Sequence, residues 1–291
     1  MSRRAAGIAL IAVAATLWGT WPLYTRAGGP TGVSLGFLCL LAMSLPAPFV
    51  FRRAAFADRG AVIALVLVGL ADAANVILYF VALEKGPVVV AVLSHYLAPT
   101  LVALTAPFIL EEPSSRRALL ASPIALIGLA LVLSPGSSST SSLNTAFLGG
   151  GSAIFYAIVV LGSRRSARSF SPGAVMSLHS VISAGALLLV FGREVIPTQV
   201  NTELGIVLFG CLVNGMIAGL LFNLSLERLE AQLVGLFTYL EPINAAILGA
   251  VVLGEPFGLM SVVGLILVVF AGAWGSGRPA EADALSRAAA R

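Results

Sequence analysis

Ten apolar stretches follow one another along the chain, each long enough to cross a bilayer as a helix and separated from the next by a polar loop. A helix needs about 20 apolar residues to span the hydrocarbon core. The stretches cover residues 5–25, 31–51, 60–83, 87–110, 118–134, 146–163, 172–191, 204–226, 231–253 and 257–275. Only 10% of the 291 residues are charged, so lipid rather than water has to cover most of the surface. The sequence therefore predicts an all-α integral membrane protein with ten transmembrane helices.

Basic residues are divided unequally between the two sides of the predicted membrane. Three of them lie on one side, namely Arg26, Lys85 and Arg193. Fourteen lie on the other: Arg3, Arg4, Arg52, Arg53, Arg59, Arg116, Arg117, Arg164, Arg165, Arg168, Arg228, Arg278, Arg287 and Arg291. Arginine and lysine concentrate in cytoplasmic loops. We therefore expect a multi-pass protein of a bacterial-type inner (plasma) membrane, with both termini in the cytoplasm.

The two halves of the chain resemble each other. The clearest matches, each 143 positions apart, are Tyr96/Tyr239, Leu97/Leu240, Pro99/Pro242, Glu112/Glu255 and Pro113/Pro256. Each half holds an odd number of helices, so the second half enters the membrane from the opposite side. The expected architecture is two five-helix inverted repeats, at 1–134 and 146–276, with a linker at 135–145 and a cytoplasmic tail at 277–291. In transporters such repeats place the substrate site near the midplane, although duplication can also give a static bundle.

Two acidic residues lie deep in the predicted spans, Asp72 in the third helix and Glu241 in the ninth. Polar groups in the bilayer core are expensive and usually face a cavity or a partner. Asp72, Asn75 and Tyr79 share one helical face and suit an ammonium group or a zwitterion. Glu241 precedes a proline that frees a backbone carbonyl, so it is a candidate for binding a cation or a proton. Hydrogen bonds between helices, without any ligand, are the alternative for both sets.

Further candidates for substrate binding are aromatic or polar side chains in other spans. They are Trp18 and Trp21 in the first helix, His95 and Tyr96 in the fourth, Tyr156 in the sixth, Asn214 in the eighth and Tyr239 in the ninth. The two tryptophans share a face and are predicted to form a cavity wall for apolar or aromatic groups. A membrane-interface anchor is the alternative for tryptophan, and a structural hydrogen bond is the alternative for His95.

Pro99 and Pro242 occupy matching positions near the centres of the fourth and ninth helices. Proline lacks an amide hydrogen and crowds the preceding turn, so each helix is predicted to kink. We predict that these kinks are hinges for alternating access. Fixed kinks that only shape a cavity are the alternative.

Several segments resemble a known family. These are Tyr239-Leu240-Glu241-Pro242 with Gly254-Glu255-Pro256, their first-half counterpart Glu111-Glu112-Pro113, and Trp18-Gly19-Thr20-Trp21. They resemble the EamA-type proteins of the drug/metabolite transporter superfamily, and the resemblance covers essentially the whole chain. It implies a ten-helix exporter of amino acids or related metabolites. The segment around Pro99 resembles aromatic amino-acid exporters and the segment around Pro242 resembles threonine/homoserine exporters, so the substrate stays open.

No pattern in the sequence indicates catalysis, metal binding or ATP hydrolysis. Cys39 and Cys211 lack metal-site spacing, and neither HExxH nor GxxxxGK[ST] occurs. We expect no enzyme activity, no cofactor, no metal and no nucleic-acid partner. The expected partners are the bilayer and a small-molecule substrate, with an amino acid implied by the resemblance. Export of other metabolites or drugs, or a non-transport role such as a scramblase, are the alternatives. Proton coupling and the oligomeric state, for which a monomer suffices, stay open.

Overall fold

A computed structural model describes residues 2–50, 52–133, 143–254 and 258–276. Ten helical segments follow in order: α1 (Arg3–Trp18 and Trp21–Thr25), α2 (Gly32–Ser44 and Ala47–Val50), α3 (Arg59–Lys85), α4 (Val88–His95 and Ala98–Ile109), α5 (Arg116–Leu133), α6 (Leu143–Ser166), α7 (Pro172–Phe191), α8 (Thr202–Leu226), α9 (Ala231–Phe237 and Leu240–Leu253) and α10 (Leu259–Gly275). Short 3-10 turns at Arg53–Ala57 and Gly192–Val195 precede α3 and follow α7. The Glu255–Pro256 pair, the tail 277–291 and most of the predicted linker lie outside the described residues.

The helices match the predicted spans to within a few residues. Nine of the described helical segments are long and apolar enough to cross a membrane, and α10 is a shorter apolar helix of 17 residues. At 1.5 Å per residue α10 is about 26 Å long, close to the thickness of the hydrocarbon core. The all-α, ten-helix fold class is therefore confirmed.

The outer surface of the bundle is apolar. Phe49, Phe108 and Leu189 are 89%, 86% and 89% exposed, and many other large apolar side chains also point outward. A water-soluble protein does not leave such a surface uncovered. Lipid rather than water is therefore the solvent that covers this apolar surface.

The packing of the helices is symmetric between the two halves. Helix α3 packs on α6, and their counterparts α8 and α1 pack on each other in the same way. The pairs α2–α7, α4–α9 and α5–α10 each join a helix to its own counterpart. Exchanging the halves leaves these contacts unchanged, as an inverted repeat requires.

Glycines allow the closest of these approaches. A Cβ added to Gly128 of α5 or to Gly264 of α10 would collide with the backbone of the other helix. Gly36 of α2 packs against the Val76 side chain of α3, and Gly215 of α8 packs against the backbone of Cys39 in α2. Small residues are what brings transmembrane helices this close.

Helices α4 and α9 are interrupted at matching places. Helix α4 ends at His95 and restarts at Ala98, so Pro99 is the second residue of its second piece. Helix α9 ends at Phe237 and restarts at Leu240, so Pro242 is the third residue of its second piece. In the first turn of a helix the missing amide hydrogen of proline needs no partner. The interruptions therefore lie just before the prolines, where the sequence predicts kinks.

The arginine-rich end of the bundle is held closed by hydrogen bonds between the two halves. Glu112, which follows α4, accepts a hydrogen bond from Arg164 Nε at 2.7 Å and another from the backbone N–H of Ala231 at 2.9 Å. Arg164 also donates to the carbonyl of Leu226 at 2.6 Å. We call Glu112, Arg164 and the first turn of α9 the basic-end clamp. Further bonds at this end are Arg168 to the Leu110 carbonyl, Arg3 to the Glu227 carbonyl and Arg4 to the Ser276 carbonyl.

Candidate functional site

A cavity of about 580 Å³ lies between the two halves. It is lined by Trp18, Trp21, Pro22, Thr25, Arg26, Leu35, Tyr79, Phe80, Leu83, Val92, Tyr96, Val132, Leu133, Glu241, Pro242, Ala245 and Ala246. Thr25 ends α1, Leu133 ends α5 and Leu83 lies near the end of α3, and all three ends face away from the basic-end clamp. The cavity, which we call the outer cavity, therefore reaches toward the arginine-poor end.

A second compartment of about 220 Å³ adjoins the outer cavity. The two share Trp18, Trp21, Tyr96 and Glu241. The other lining residues are Asn75, Val76, His95, Ala98, Pro99, Tyr156 and Thr238. Asn75 and Tyr156 lie near the middle of α3 and α6, so this inner compartment is close to the centre of the bundle.

Aromatic rings form most of the wall between the two spaces. The His95 ring lies 4.3 Å from the Tyr79 ring and 5.3 Å from the Tyr156 ring, measured between centroids. The repeat partners Tyr96 and Tyr239 are 5.7 Å apart, and the Tyr239 hydroxyl donates a hydrogen bond to the Tyr96 carbonyl at 2.8 Å. That carbonyl lies at the break in α4, so Tyr239 satisfies an acceptor that the interruption leaves free.

Glu241 is placed by the break in α9. It is the second residue of the piece Leu240–Leu253, at the positive end of that helix dipole. The Tyr96 phenol lies next to its carboxylate, and no ion pair to Glu241 is found within the described part of the chain. The carboxylate thus borders both spaces, and among the described residues no basic side chain pairs with it.

Most of the predicted site residues meet in these two spaces. Trp18, Trp21, Tyr79, Tyr96, Glu241 and Pro242 line the outer cavity, and Asn75, His95, Tyr156 and Pro99 line the inner compartment. Their roles in binding or gating stay predictions.

Asp72, Asn214 and Tyr239 line neither space. The Asp72 carboxylate lies 3.5 Å from His179 Nε2 on α7, one helical turn away from Asn75. The backbone carbonyl of Asn214 accepts a hydrogen bond from Trp18 Nε1 at 2.8 Å, and the buried Tyr239 donates its hydroxyl hydrogen to the Tyr96 carbonyl. Their direct contact with substrate stays a prediction, and the contacts that the structure gives them are with other groups of the protein.

Sequence reasoning missed the apolar part of the lining. Phe80, Leu35, Val132 and Leu133 are ordinary residues of apolar spans, and nothing in the sequence separates them from lipid-facing neighbours. Arg26 was the one residue with a usable signal, because it is a charged side chain at the end of α1 on the arginine-poor side.

Comparison with known proteins identifies the family. The model of the EamA-like transporter family matches residues 5–134 and, a second time, residues 143–275. The chain belongs to the EamA-like transporter family. As a member of that family it is a membrane transporter built from two related repeats, and the resemblance seen in the sequence is confirmed at this level.

Individual EamA-like relatives agree on transport and leave the substrate open. An uncharacterized transporter of Archaeoglobus fulgidus is 29% identical over 269 residues, which cover 90% of this chain and 93% of that protein. The uncharacterized transporter YyaM of Bacillus subtilis is 27% identical over 202 residues, covering 66% and 65% of the two chains. A crystal structure with a TM-score of 0.75 covers 94% of this chain and 98% of its own; at 20% identity it supports the fold alone.

Proposed function

We propose that this EamA-like protein is a secondary transporter that exports amino acids or related small metabolites from the cytoplasm by alternating access. The observation that carries the proposal is a cavity between two inverted repeats that extends toward one end of the bundle. Its aromatic walls suit an apolar or aromatic side chain, and the Glu241 carboxylate and Arg26 supply charge of both signs for a zwitterion.

The orientation follows from the distribution of arginine. The basic-end clamp lies among the arginine-rich loops, which we assign to the cytoplasm. The outer cavity extends toward the opposite end. With this orientation the structure is an outward-facing state, in which a substrate carried from the cytoplasm is ready to leave.

Alternating access requires a second state in which the clamp is open and the arginine-poor end is closed. The symmetric packing of the repeats supplies such a state, because exchanging the conformations of the two halves turns the open end into the closed one. The matched breaks in α4 and α9 are the places where the two halves can change shape with the least loss of hydrogen bonds.

Flux through the purified protein in sealed liposomes tests the proposal. Liposomes loaded with a mixture of unlabelled amino acids should accumulate labelled phenylalanine or threonine by counterflow, and protein-free liposomes should not. A panel of organic cations and a fluorescent phospholipid should be measured in parallel. Flux of the organic cations alone would replace amino acids by drugs as the substrate. Movement of the phospholipid alone would indicate a scramblase and contradict the proposal.

A further inference from the structure

The inner compartment differs in chemistry from the outer cavity. Phe80, Leu35, Leu83, Val92, Val132 and Leu133 face the outer cavity. The inner compartment shares Glu241 with it but adds Asn75 and His95, around a space less than half as large. A polar compartment at this depth in a membrane protein needs a ligand or water to satisfy it.

The hydrogen bonds of His95 determine which of its ring nitrogens carries the proton. The Ser152 hydroxyl has one hydrogen, which it donates to the Gly149 carbonyl at 2.8 Å. Ser152 therefore accepts in its 2.8 Å contact with His95 Nδ1, so Nδ1 carries the proton. The other nitrogen of the neutral ring, Nε2, is then a hydrogen-bond acceptor.

Asn75 contributes its side-chain amide to the wall of the compartment. Its Oδ1 atom is buried, exposes almost no surface and has no hydrogen-bond partner within the described part of the chain. Leaving such an acceptor unpaired costs about 1–3 kcal/mol. A half-turn of the amide group exchanges Oδ1 and Nδ2 and presents the oxygen to a donor in the compartment, which makes Asn75 a second acceptor for a bound group.

Two of the donors that border the compartment are used elsewhere. The Thr238 hydroxyl donates to the Gly235 carbonyl at 2.7 Å, and Trp18 Nε1 donates to the backbone carbonyl of Asn214 at 2.8 Å. The phenols of Tyr96 and Tyr156 can each donate one hydrogen or accept one. His95 Nε2, the Glu241 carboxylate and, after the turn of its amide, Asn75 Oδ1 are thus three acceptors available to a group bound in the compartment.

We infer that the inner compartment is an ammonium subsite, which binds the protonated primary amine of the substrate while the apolar body lies in the outer cavity. An ammonium group offers three donors and one positive charge. It matches three acceptors of which one is a carboxylate, and the faces of Trp18, Tyr96 and Tyr156 add cation–π attraction. The inference deepens the proposed transport function, on which it rests, by naming the amine as the group that is recognised.

Recognition of the amine has a consequence for substrate choice. A substrate needs an amine and an apolar body, and a carboxylate adds only what Arg26 contributes in the outer cavity. Aromatic monoamines should therefore bind, and aromatic acids without an amine should bind poorly.

Binding of three matched compounds to the protein in lipid nanodiscs tests the inference. Phenethylamine, phenylalanine and 3-phenylpropanoate share one aromatic body and differ in the amine and the carboxylate. We expect phenethylamine and phenylalanine to bind at least about tenfold more tightly than 3-phenylpropanoate by calorimetry at neutral pH, because only they place a charge-assisted donor against Glu241. Equal or tighter binding of 3-phenylpropanoate, or no binding of either amine, would overturn the inference.

Two variants separate binding from a structural role. Asn75→Leu should weaken phenethylamine binding about 3- to 10-fold and leave the melting temperature unchanged or higher, because the buried Oδ1 atom bonds to none of the described residues. A lower melting temperature with unchanged amine affinity would show that Asn75 is structural and would contradict the subsite.

Glu241→Gln should weaken amine binding by more than about tenfold. Glu194→Gln, the same change at an exposed residue that lines neither space, is the matched control and should bind like the wild type.

Flux distinguishes this inference from the proposed function. Binding of amines without flux of any amine or amino acid would leave the subsite standing and remove the transport proposal. Flux of aromatic acids without binding of amines would support transport and remove the subsite.

Discussion

Asp72 and Glu241 are both acidic residues in the middle of transmembrane helices, yet they have different surroundings. Asp72 faces His179 at 3.5 Å and lines neither cavity, whereas Glu241 faces both cavities and forms no ion pair with a described residue. Burial penalises a lone carboxylate unless a proton or another cation neutralises it. Glu241 is therefore the residue at which we expect a proton and a substrate amine to compete, and competition of this kind would couple their movements in opposite directions.

At the residue scale we predict that Glu241→Gln uncouples transport from the pH gradient. Glutamine cannot release and rebind a proton, so stimulation of flux by a pH gradient should disappear. Exchange of labelled for unlabelled substrate should persist at saturating concentration, because exchange needs no net proton movement. Both are measured in proteoliposomes, with Glu194→Gln as the control. Wild-type flux that is insensitive to the pH gradient would contradict proton coupling altogether.

At the scale of single elements, the main irregularity of the bundle is the pair of matching interruptions in helices α4 and α9. Each break leaves backbone groups without partners in the helix, and the bond from the Tyr239 hydroxyl to the Tyr96 carbonyl repairs one of them across the repeat axis. Because the rings of Tyr96 and Tyr239 also contact each other, with centroids 5.7 Å apart, a change of angle in one helix acts directly on the other.

We predict that Pro99→Ala and Pro242→Ala each slow transport much more than they weaken substrate binding. Alanine restores an amide hydrogen and removes the clash with the preceding turn, so the helix becomes easier to continue and harder to bend. Turnover should fall about tenfold or more, which corresponds to a barrier raised by about 1.4 kcal/mol, while the dissociation constant changes about threefold at most. Pro107→Ala, a proline of α4 that lines neither cavity, is the matched control. Wild-type turnover in both hinge variants would show that the prolines are only scaffold.

At the scale of the whole molecule, the two ends differ in how they are held. The basic-end clamp joins the halves through a carboxylate only 8% exposed, which both pairs with Arg164 and accepts from the first turn of α9. The outer cavity at the opposite end is walled mainly by apolar and aromatic side chains. The arginine-rich end is therefore closed by an ion pair and hydrogen bonds, whereas the arginine-poor end is open and its walls are mainly apolar.

We predict that Glu112→Gln opens the arginine-rich end. Breaking a largely buried ion pair costs about 3–5 kcal/mol, which would shift the population toward the state open at that end. A cysteine replacing the buried Leu229, in a background without Cys39 and Cys211, should then react several-fold faster with a membrane-impermeant thiol reagent applied from the cytoplasmic face.

Glu230→Gln is the matched control for the clamp. Its carboxylate is 41% exposed and pairs with Arg4 at 3.4 Å, so its loss should cost less than about 1 kcal/mol and hardly change the labelling rate. Faster labelling from the outer face instead would contradict the orientation that we assign. Equal rates in the two variants would show that the clamp does not hold the closed end.

The sequence alone determined the number, length and order of the helices, the two repeats and the charge bias between the ends, because each depends on residues close in the chain or on a simple spacing. It also brought together most of the polar and aromatic site residues, since a polar group inside an apolar span stands out. Only the tertiary structure separated Glu241 from Asp72, left Asn75 Oδ1 without a hydrogen-bond partner among the described residues and added Phe80 and Val132 to the cavity wall. Those outcomes depend on which distant helices pack together. The sequence of an apolar span is the same whether a given residue faces lipid, another helix or a cavity, so the sequence pattern does not distinguish these environments.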